Sequence, residues 1–502
     1  MVDLEYLKKS PWEKFWFNFV KFFKKLPAVF VAFFKAIPAK FKKLGKKFLG
    51  VFTTIGHAAK DGDWKTRTSF LVFGFGQMTR KQWLRGILYF LFEVLFICYM
   101  IFFGWKYLAQ MGTLGETAMV KVEIPEPPFV KYAFVDNSLL ILLYSLLTIF
   151  IMVGCVYVWY QNVKTNILTQ ELLEAKQKIP TTKDDIKSYA DEQYHKTLLS
   201  FPLLGLTVFT ILPIVFMIFI AFTNYDKAHM PPAQLFDWNG VENFKTLLGG
   251  GISNNSAIFA YTFREVLLWT IIWAFFATFT NYFLGMIVAI MINKKGIRFK
   301  KFWRTILVMT IAIPQFVSLM LMSQLLSDQG MFNRLMQSWG WIDKPIPFLT
   351  NGTLAKVTVI VVNIWIGIPF TMLMVSGILM NIPADLYESA RIDGAGPVKA
   401  FMKITLPYML HITTPYLITQ FIGNLNNFNI IYLLTGGEPL SLDLQYAGKT
   451  DLLITWLYKL TVNQSEYGLA SVIGIFTFII VAVISLILYN HSKSVKNEED
   501  FM

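Results

Sequence analysis

"YESARIDGAGPVKAFMKITLP", from Tyr387 to Pro407, is a polar stretch with charges of both signs between two long apolar runs. Helix-compatible residues follow Pro383, and Asp385 lies near their start, where a carboxylate suits the helix dipole. Gly394 permits a sharp bend, and Pro397 can begin a second helix. The stretch therefore predicts a short, exposed helix–turn–helix between two membrane-seeking segments.

The apolar runs around this stretch are long enough to cross a membrane. Of the 502 residues, 55% are apolar and only 16% are charged, against roughly 25% charged in soluble domains. A helix needs about 20 apolar residues to cross a bilayer core. The sequence therefore predicts an all-α integral membrane protein with about eight transmembrane helices. These are Ile87–Gly104, Ser138–Tyr160, Leu198–Thr223, Val266–Ile292, Phe302–Leu326, Leu354–Met380, Tyr408–Leu434 and Tyr467–Leu488.

The net charge of +14 is concentrated at the start of the chain. Residues Met1–Arg85 contain 18 Lys and Arg against 5 Asp and Glu. Lysines alternate there with Phe, Trp, Val and Leu at helical spacing, and Pro27 and Pro38 divide the segment. This pattern favours a basic amphipathic segment in the membrane interface, with lysines toward anionic headgroups. The alternative is a solvated charged tail.

The distribution of lysine and arginine predicts the orientation. "NKKGIRFKKFWR" (Asn293–Arg304) has six basic residues and no acidic one, which is typical of a cytoplasmic loop. The number of predicted spans then places both termini and the stretch Tyr387–Pro407 in the cytoplasm as well. The expected location is the cell membrane, with several spans and both ends of the chain inside.

Few residues suit catalysis or ion coupling. Glu93 is the clearest ionisable residue inside a predicted span, and we interpret it as facing a neighbouring helix rather than as a proton or cation site. Cys98 and Cys155 form no metal-binding or redox spacing. "AGKT" (Ala447–Thr450) resembles the end of a phosphate-binding loop, but Asp443 replaces the glycine that such a loop requires. We therefore expect no catalytic residue and no metal site.

The stretch resembles the signature loop of permease subunits of ATP-binding-cassette importers. That signature is E-A-A, three residues, Gly, nine residues, and Ile-x-Leu-Pro, and every spacing agrees here, with Ser389 in place of the first alanine. In that family the loop forms a coupling helix that docks on a cytoplasmic ATPase. The resemblance implies an ATPase-coupling role for Glu388, Ser389, Ala390, Asp393, Gly394, Ile404, Leu406 and Pro407.

Four further motifs resemble the larger permease subunit of maltose/maltodextrin importers. They are "NIWIGIPFTM", "DGAGPVKAFMKITLP", "NLNNFNIIYLLTGGEP" and "AGKTDLLITWLYKL". The large extracytoplasmic domain of the best-known relative is missing, since only Asn224–Glu265 connects the third and fourth predicted spans. The resemblance implies an importer-type permease core at residues 198–489 with the coupling loop at 383–407. Residues 1–85 precede it as the interfacial segment, 86–197 as two accessory spans with a cytoplasmic connector, and 490–502 form a cytoplasmic tail.

The resemblance also implies the partners. They are a second permease subunit, two ATP-binding-cassette subunits, an extracytoplasmic sugar-binding protein, an oligosaccharide substrate and membrane lipid, with no nucleic acid. The chain itself would be a transport subunit without a cofactor and not an enzyme, while ATP and Mg would bind the partner ATPase.

The sugar-contact positions of that family fall on amide, aromatic and small residues. A saccharide offers hydroxyls and apolar ring faces, so its site needs amide partners and an aromatic surface. The resemblance places sugar binding at Gln315, Asn363, Gly367, Phe370, Asn424 and Asn427, and also at Ile311 and Gly423, which replace aromatic residues of the maltose relative. For the amides, hydrogen bonding between helices is the alternative.

Three other functions stay open from the residues alone. The first is a self-sufficient secondary sugar carrier, which the scarcity of intramembrane carboxylates disfavours. The second is an importer permease for a different oligosaccharide. The third is a membrane scaffold anchored by the basic segment, which would leave the helix–turn–helix unexplained.

Overall fold

The computed structural model describes residues 50–118, 120–123, 130–133, 136–252, 255–294 and 296–491. Most of the basic interfacial segment, residues 1–49, and residues 492–502 of the predicted tail lie outside the described residues. The chain forms two compact units. Within the described residues, unit 1 extends to Phe219 and also includes Ala228–Trp238. Unit 2 consists of Ile220–Lys227 and the chain from Asn239.

Unit 1 is built mainly from three long helical segments. A helix is described at residues 50–61. The following elements are α1 Trp64–Thr68, α2 Phe75–Thr79, α3 Trp83–Tyr99, α4 Trp105–Gln110, α5 Ser138–Glu174, α6 Thr182–Ala190, α7 Tyr194–Leu206 and α8 Leu212–Ile220. π-Helical turns at Met100–Gly104 and Thr207–Ile211 continue α3 into α4 and α7 into α8.

A short antiparallel hairpin is an addition to the predicted all-α fold. Strand β1, Val120–Glu123, pairs with β2, Val130–Ala133, so that Val120 is opposite Ala133. Apolar residues alternate with charged ones in "VKVE", and in "VKYA" one lysine lies between valine and tyrosine. This period of two favours strands over a helix. The segments are too short and polar to have been counted among the spans.

A polar network fastens the start of unit 1 to α5. The Arg80 guanidinium donates to Asp63 Oδ1 at 2.6 Å, to Thr66 Oγ1 at 2.8 Å and to Asn166 Oδ1 at 3.0 Å. Gln170 Oε1 accepts from the Asp63 N–H at 2.8 Å. Burial acts to raise the pKa of Asp63, but hydrogen bonds from Thr66 and Arg80 hold that pKa below its ordinary value. The carboxylate therefore stabilises unit 1 at neutral pH and loses this effect as the pH falls through its folded pKa.

Unit 2 contains the longest helices and the predicted helix–turn–helix. Its elements are α9 Glu242–Leu248, α10 Ser256–Asn293, α11 Lys300–Ala312, α12 Gln315–Leu325, α13 Met331–Ser338, α14 Gly352–Leu379, α15 Ala384–Ile392, α16 Pro397–Ala400, α17 Leu406–Leu425, α18 Phe428–Leu434, α19 Leu453–Tyr458 and α20 Tyr467–His491. π-Helical turns at Phe401–Thr405 and Lys459–Asn463 precede α17 and follow α19.

The count of about eight transmembrane helices is not confirmed in the described part of the chain. Six helices are long and apolar enough to cross a membrane, or seven if α11 and α12 together count as one span. That pair is bent by 92° at Pro314, which lacks the N–H that would continue the helix.

The predicted span Tyr408–Leu434 is the one that is not among these candidates in the described residues. It consists of α17 and α18, which are separated at Asn426 and Asn427. The Asn427 side chain accepts from the Ile430 N–H and caps α18. Asparagine competes with helical hydrogen bonding through its own amide, so the polar cluster in this run interrupts the helix.

Candidate functional site

A cavity of about 530 Å³ lies within unit 2. Helices α10, α14 and α17 provide most of its lining, with Gln315 at the start of α12 and Ile430 in α18. The helix break at Pro314 and the break before α18 both bring residues to this cavity. Irregular backbone inside a membrane protein is tolerated where it lines a cavity rather than facing lipid.

Two apolar clusters bracket the cavity along these helices. One consists of Trp269, Trp273, Ala277, Leu319, Val359, Val362, Ile430, Ile431, Leu434 and Leu452. The other consists of Tyr282, Met286, Ala289, Ile292, Met372, Val375 and Met409. The second cluster is the nearer to the helix–turn–helix. Its members Met372 and Val375 lie near the end of α14, just before the helix–turn–helix, and Met409 lies near the start of α17, just after it. We call the first the distal cluster and the second the proximal cluster.

All six residues of the predicted sugar site line this one cavity. They are Gln315, Asn363, Gly367, Phe370, Asn424 and Asn427. They come from α12, α14, α17 and the cap of α18, so only the tertiary structure could bring them together. Ile311 and Gly423, which the resemblance also indicated, are not among the lining residues. The role of the six residues in binding sugar stays a prediction.

The three asparagines hold helices together as well as facing the cavity. Asn424 Nδ2 donates to Thr278 Oγ1 at 3.0 Å and so joins α17 to α10. Asn427 Nδ2 donates to Asn424 Oδ1 at 3.2 Å. Asn363 Nδ2 donates to the Ala277 carbonyl at a long 3.5 Å. The alternative of hydrogen bonding between helices thus applies to these amides, most strongly to Asn424.

Gln315 and Phe370 are free of this ambiguity. The Gln315 side chain is exposed and lies directly after the bend at Pro314. The Phe370 ring lines the cavity and remains 52% exposed. An aromatic ring with an uncovered surface is what an apolar sugar face requires.

Six polar cavity residues were not predicted. They are Thr278, Asn281 and Tyr282 in α10, Thr371 in α14, and Tyr416 and Gln420 in α17. Tyr416, Gln420 and Asn424 follow one another at intervals of four, which places them on one helix face. This spacing was a readable signal. Asn281 carried only a weaker one, an amide inside a long apolar helix.

The cavity lining contains no ionised side chain among the described residues. Its polar groups are amides, hydroxyls and a thioether sulfur, next to aromatic and aliphatic side chains. A charged ligand in such a site would lose its hydration without gaining a counter-charge. The cavity therefore suits a neutral, hydroxyl-rich ligand.

The helix–turn–helix is present as predicted. Its first helix is α15 and its second begins with α16 at Pro397. Gly394 between them adopts a φ of +70°, a conformation that favours glycine. The Tyr387 hydroxyl and Thr405 Oγ1 lie 2.8 Å apart and join the two arms. The turn thus has a defined shape rather than that of a loose loop.

The outer surface of this turn is exposed and partly apolar. No residue of α15 or α16 is buried, and Ile392 and Val398 are 86% and 76% exposed. Of the predicted coupling residues, Glu388, Ser389, Asp393, Gly394 and Pro407 are exposed, and Ala390, Ile404 and Leu406 are half-buried. Exposed apolar side chains on a shaped surface are typical of an interaction site.

The "AGKT" segment is structural. Thr450 and Asp451, at its end, are fully buried. Asp451 Oδ2 accepts from the Gly448 N–H at 2.7 Å and from Lys459 Nζ at 2.6 Å. These contacts fold the segment back on itself, and the lysine Lys449 lies next to Gly352. The interpretation that this motif is not a phosphate-binding loop agrees with the arrangement.

Glu93 binds backbone. Its Oε2 accepts from the Phe73 N–H at 2.8 Å, so the carboxylate satisfies a donor before α2. The interpretation of Glu93 as facing a neighbouring helix is wrong about the partner, because Phe73 lies in the turn before α2.

Known proteins resemble this chain over most of its length. The family described as binding-protein-dependent transport system inner membrane component matches residues 281–497. Galactooligosaccharides transport system permease protein GanP of Bacillus subtilis (strain 168) is 34% identical over 430 residues, which cover 85% of this chain and 97% of that protein. Maltodextrin transport system permease protein MdxF of the same organism is 33% identical over 437 residues, 86% of this chain and 95% of that protein.

A third relative is similar over a smaller share. Maltose/maltodextrin transport system permease protein MalF of Escherichia coli (strain K12) is 34% identical over 238 residues, which cover 45% of this chain and 44% of that protein. The two Bacillus proteins thus resemble the chain in length as well as in sequence.

Proposed function

Since the chain belongs to the family of binding-protein-dependent transport system inner membrane components, we propose that it is the permease subunit of an ATP-driven importer of neutral oligosaccharides such as maltodextrins. The observation that carries this proposal is the uncharged cavity in unit 2, where all six predicted sugar-binding residues meet.

The lining of the cavity supports a sugar substrate. Amides both donate and accept hydrogen bonds, as a sugar hydroxyl does, and Phe370 offers an open ring face. The absence of charge from the described lining favours neutral glycans over acidic ones. Maltodextrins and galactooligosaccharides, which the names of the relatives mention, both meet this chemical condition.

The exposed helix–turn–helix supports energy coupling through a partner. In this proposal α15, the turn at Gly394 and α16 dock on a cytoplasmic ATP-binding-cassette subunit, which binds ATP and Mg. A second permease subunit completes the sugar path, a second ATPase subunit serves it, and an extracytoplasmic sugar-binding protein delivers the substrate. The proximal cluster separates the cavity from the docking segment, so rearrangement of α14 and α17 at that cluster would link ATP binding to access.

Truncating Phe370 tests the cavity. We expect Phe370→Ala to lower oligosaccharide uptake roughly twofold to tenfold per assembled importer, because a sugar ring loses its stacking surface. Gln315→Ala should lower uptake as well, through the loss of one hydrogen bond. The measurement is uptake of radiolabelled maltotriose and galactotriose, normalised to the amount of complex in the membrane.

The matched control is Phe478→Ala. Phe478 lies on α20, is 61% exposed and is not part of the cavity lining, so its loss should leave uptake unchanged. Parental uptake in both Phe370→Ala and Gln315→Ala would show that the sugar passes elsewhere.

The orientation of the chain is tested by thiol labelling. With Cys98 and Cys155 replaced by alanine, a single cysteine at Phe299 should be protected from an impermeant maleimide in intact cells. A single cysteine at Leu442 should be labelled, because the proposal places that loop outside. Both positions are exposed. The reverse pattern of labelling would invert the topology.

A further inference from the structure

We propose that Asn281 is an additional sugar-contact residue, whose amide oxygen accepts a hydrogen bond from a substrate hydroxyl at the proximal end of the cavity. This inference rests on the proposed function. Asn281 lies in α10, while the six predicted sugar-binding residues that line the cavity lie in α12, α14 or α17, or directly before α18.

The cavity has two polar levels along its helices. Thr278 and Asn363 lie toward the distal cluster, because each directly follows one of its members in sequence. Asn424 is bonded to Thr278, and Asn427 is bonded to Asn424, so these two amides lie at the same level. Asn281 adjoins Tyr282 of the proximal cluster. Tyr416, which is two helical turns from Asn424 and therefore about 12 Å along the axis, lies toward that same end. A substrate that crosses the cavity toward the helix–turn–helix passes the distal amides first and Asn281 afterwards.

Asn281 differs from the distal amides in its hydrogen bonding. Asn363, Asn424 and Asn427 all bond to protein groups. The Oδ1 atom of Asn281 is shielded from solvent and has no hydrogen-bond partner among the described residues. A buried amide oxygen without a partner is unfavourable. A rotation of the Asn281 side chain that turns Oδ1 into the cavity would let a ligand hydroxyl supply the bond that the protein itself leaves unmade.

Gly367 makes room for this amide. A Cβ atom at position 367 would lie 2.2 Å from Asn281 Nδ2 and 2.6 Å from its Cγ, so any larger residue in α14 would displace the Asn281 side chain. The resemblance indicated Gly367 as a sugar-contact position. The geometry assigns it a second task, which is to seat Asn281 at the cavity wall.

The test compares sugars within one membrane preparation, since the ratio of two uptake rates does not depend on how much importer is assembled. The probe is whichever of maltotriose and galactotriose the complete parental importer takes up faster, together with its set of monodeoxy analogues. For the parent, we expect one analogue to be transported at least about fivefold more slowly than the intact sugar, as the loss of one hydrogen bond requires.

In Asn281→Ala this discrimination should disappear for that analogue and persist for the others. Asn281→Ser is the second variant, in case alanine prevents assembly, and it should reduce the same discrimination. Ratios that stay parental in an assembled Asn281 variant would overturn the proposal, and so would an equal change for every analogue. Failure of the parental importer to transport either trisaccharide would instead contradict the proposed function.

Gly367→Ala, made in two backgrounds, tests whether Gly367 makes room for the Asn281 amide. Gly367→Ala should lower uptake strongly in the parental background, because the new methyl group meets the Asn281 amide. In the Asn281→Ala background the same change should lower uptake much less, since the amide is gone and only the contact of Gly367 itself with the sugar is affected. Additive effects of the two changes would show that Gly367 acts independently of Asn281.

Discussion

Gly394→Val is expected to abolish oligosaccharide uptake while the protein remains in the membrane. The φ of +70° at Gly394 is left-handed, and a β-branched residue there is a conformational outlier. Such strain costs about 1–3 kcal/mol, which the short helices α15 and α16 can relieve only by changing the turn. The measurement is uptake together with the amount of chain in isolated membranes.

A second variant at Gly394 distinguishes a changed backbone conformation of the turn from a changed docking surface. A Cβ atom at Gly394 would have no atom within 4 Å in this chain, so a side chain there would project toward whatever docks on the turn. Asparagine tolerates the left-handed conformation. Gly394→Asn should therefore keep the turn but still impair uptake, because its side chain enters the docking surface. Gly394→Asp should behave in the same way, with an added charge.

ATPase binding distinguishes the two effects. Copurification of the ATP-binding-cassette subunit with Gly394→Asn should be weakened. Gly112→Asn is the matched control, because it is the same change at a glycine of unit 1 whose Cβ would also have no atom within 4 Å. Normal uptake in Gly394→Val would contradict the assignment of this segment as the coupling loop.

Lys459→Met is expected to reduce the folding stability of unit 2 by about 3–5 kcal/mol, because it leaves a buried carboxylate without its partner. Asp451 is fully buried and Lys459 Nζ lies 2.6 Å from its Oδ2. Methionine keeps most of the lysine's apolar length, so the loss reports on the charge. The measurement is the thermal unfolding of the purified complex in detergent.

Two variants provide the comparison. Lys449→Met removes the exposed pair with Asp443, which are 3.9 Å apart, and should cost at most about 1 kcal/mol. Adding Asp451→Asn to Lys459→Met should recover part of the stability, because the unpaired charge is gone. Equal losses for Lys449→Met and Lys459→Met would mean that burial does not strengthen this pair.

Local patterns in the sequence were sufficient for the helices and for the turn. The apolar runs had to become helices, since a bilayer leaves no other way to satisfy a single segment's backbone. Pro383, Gly394 and Pro397 act on their own backbone and on their neighbours, and the predicted helix–turn–helix is present. The orientation of the chain in the membrane was likewise predicted from the placement of lysine and arginine alone, and the labelling experiment tests it.

The family resemblance carried the prediction of the distal part of the site. Gln315, Asn363 and Asn424 lie far apart in the chain, and no periodicity relates them. They reach one cavity because α10, α14 and α17 pack together. The same packing determines which amides are already occupied, as the bond from Asn424 to Thr278 shows.

Only the tertiary structure revealed the features that depend on distances between helices. The run Tyr408–Leu434 is a different case, because its division before α18 has a local cause, the cap that the Asn427 side chain places on the new helix. The run is apolar enough to have been predicted as one span. Asn281 is one amide in a 38-residue helix until Gly367 of another helix is found beside it. The sequence by itself determined the membrane helices and the exposed turn, because their causes lie within a few residues. The tertiary structure decided the cavity, its uncharged lining and the seat of Asn281, because those depend on contacts between residues more than 80 positions apart in the chain.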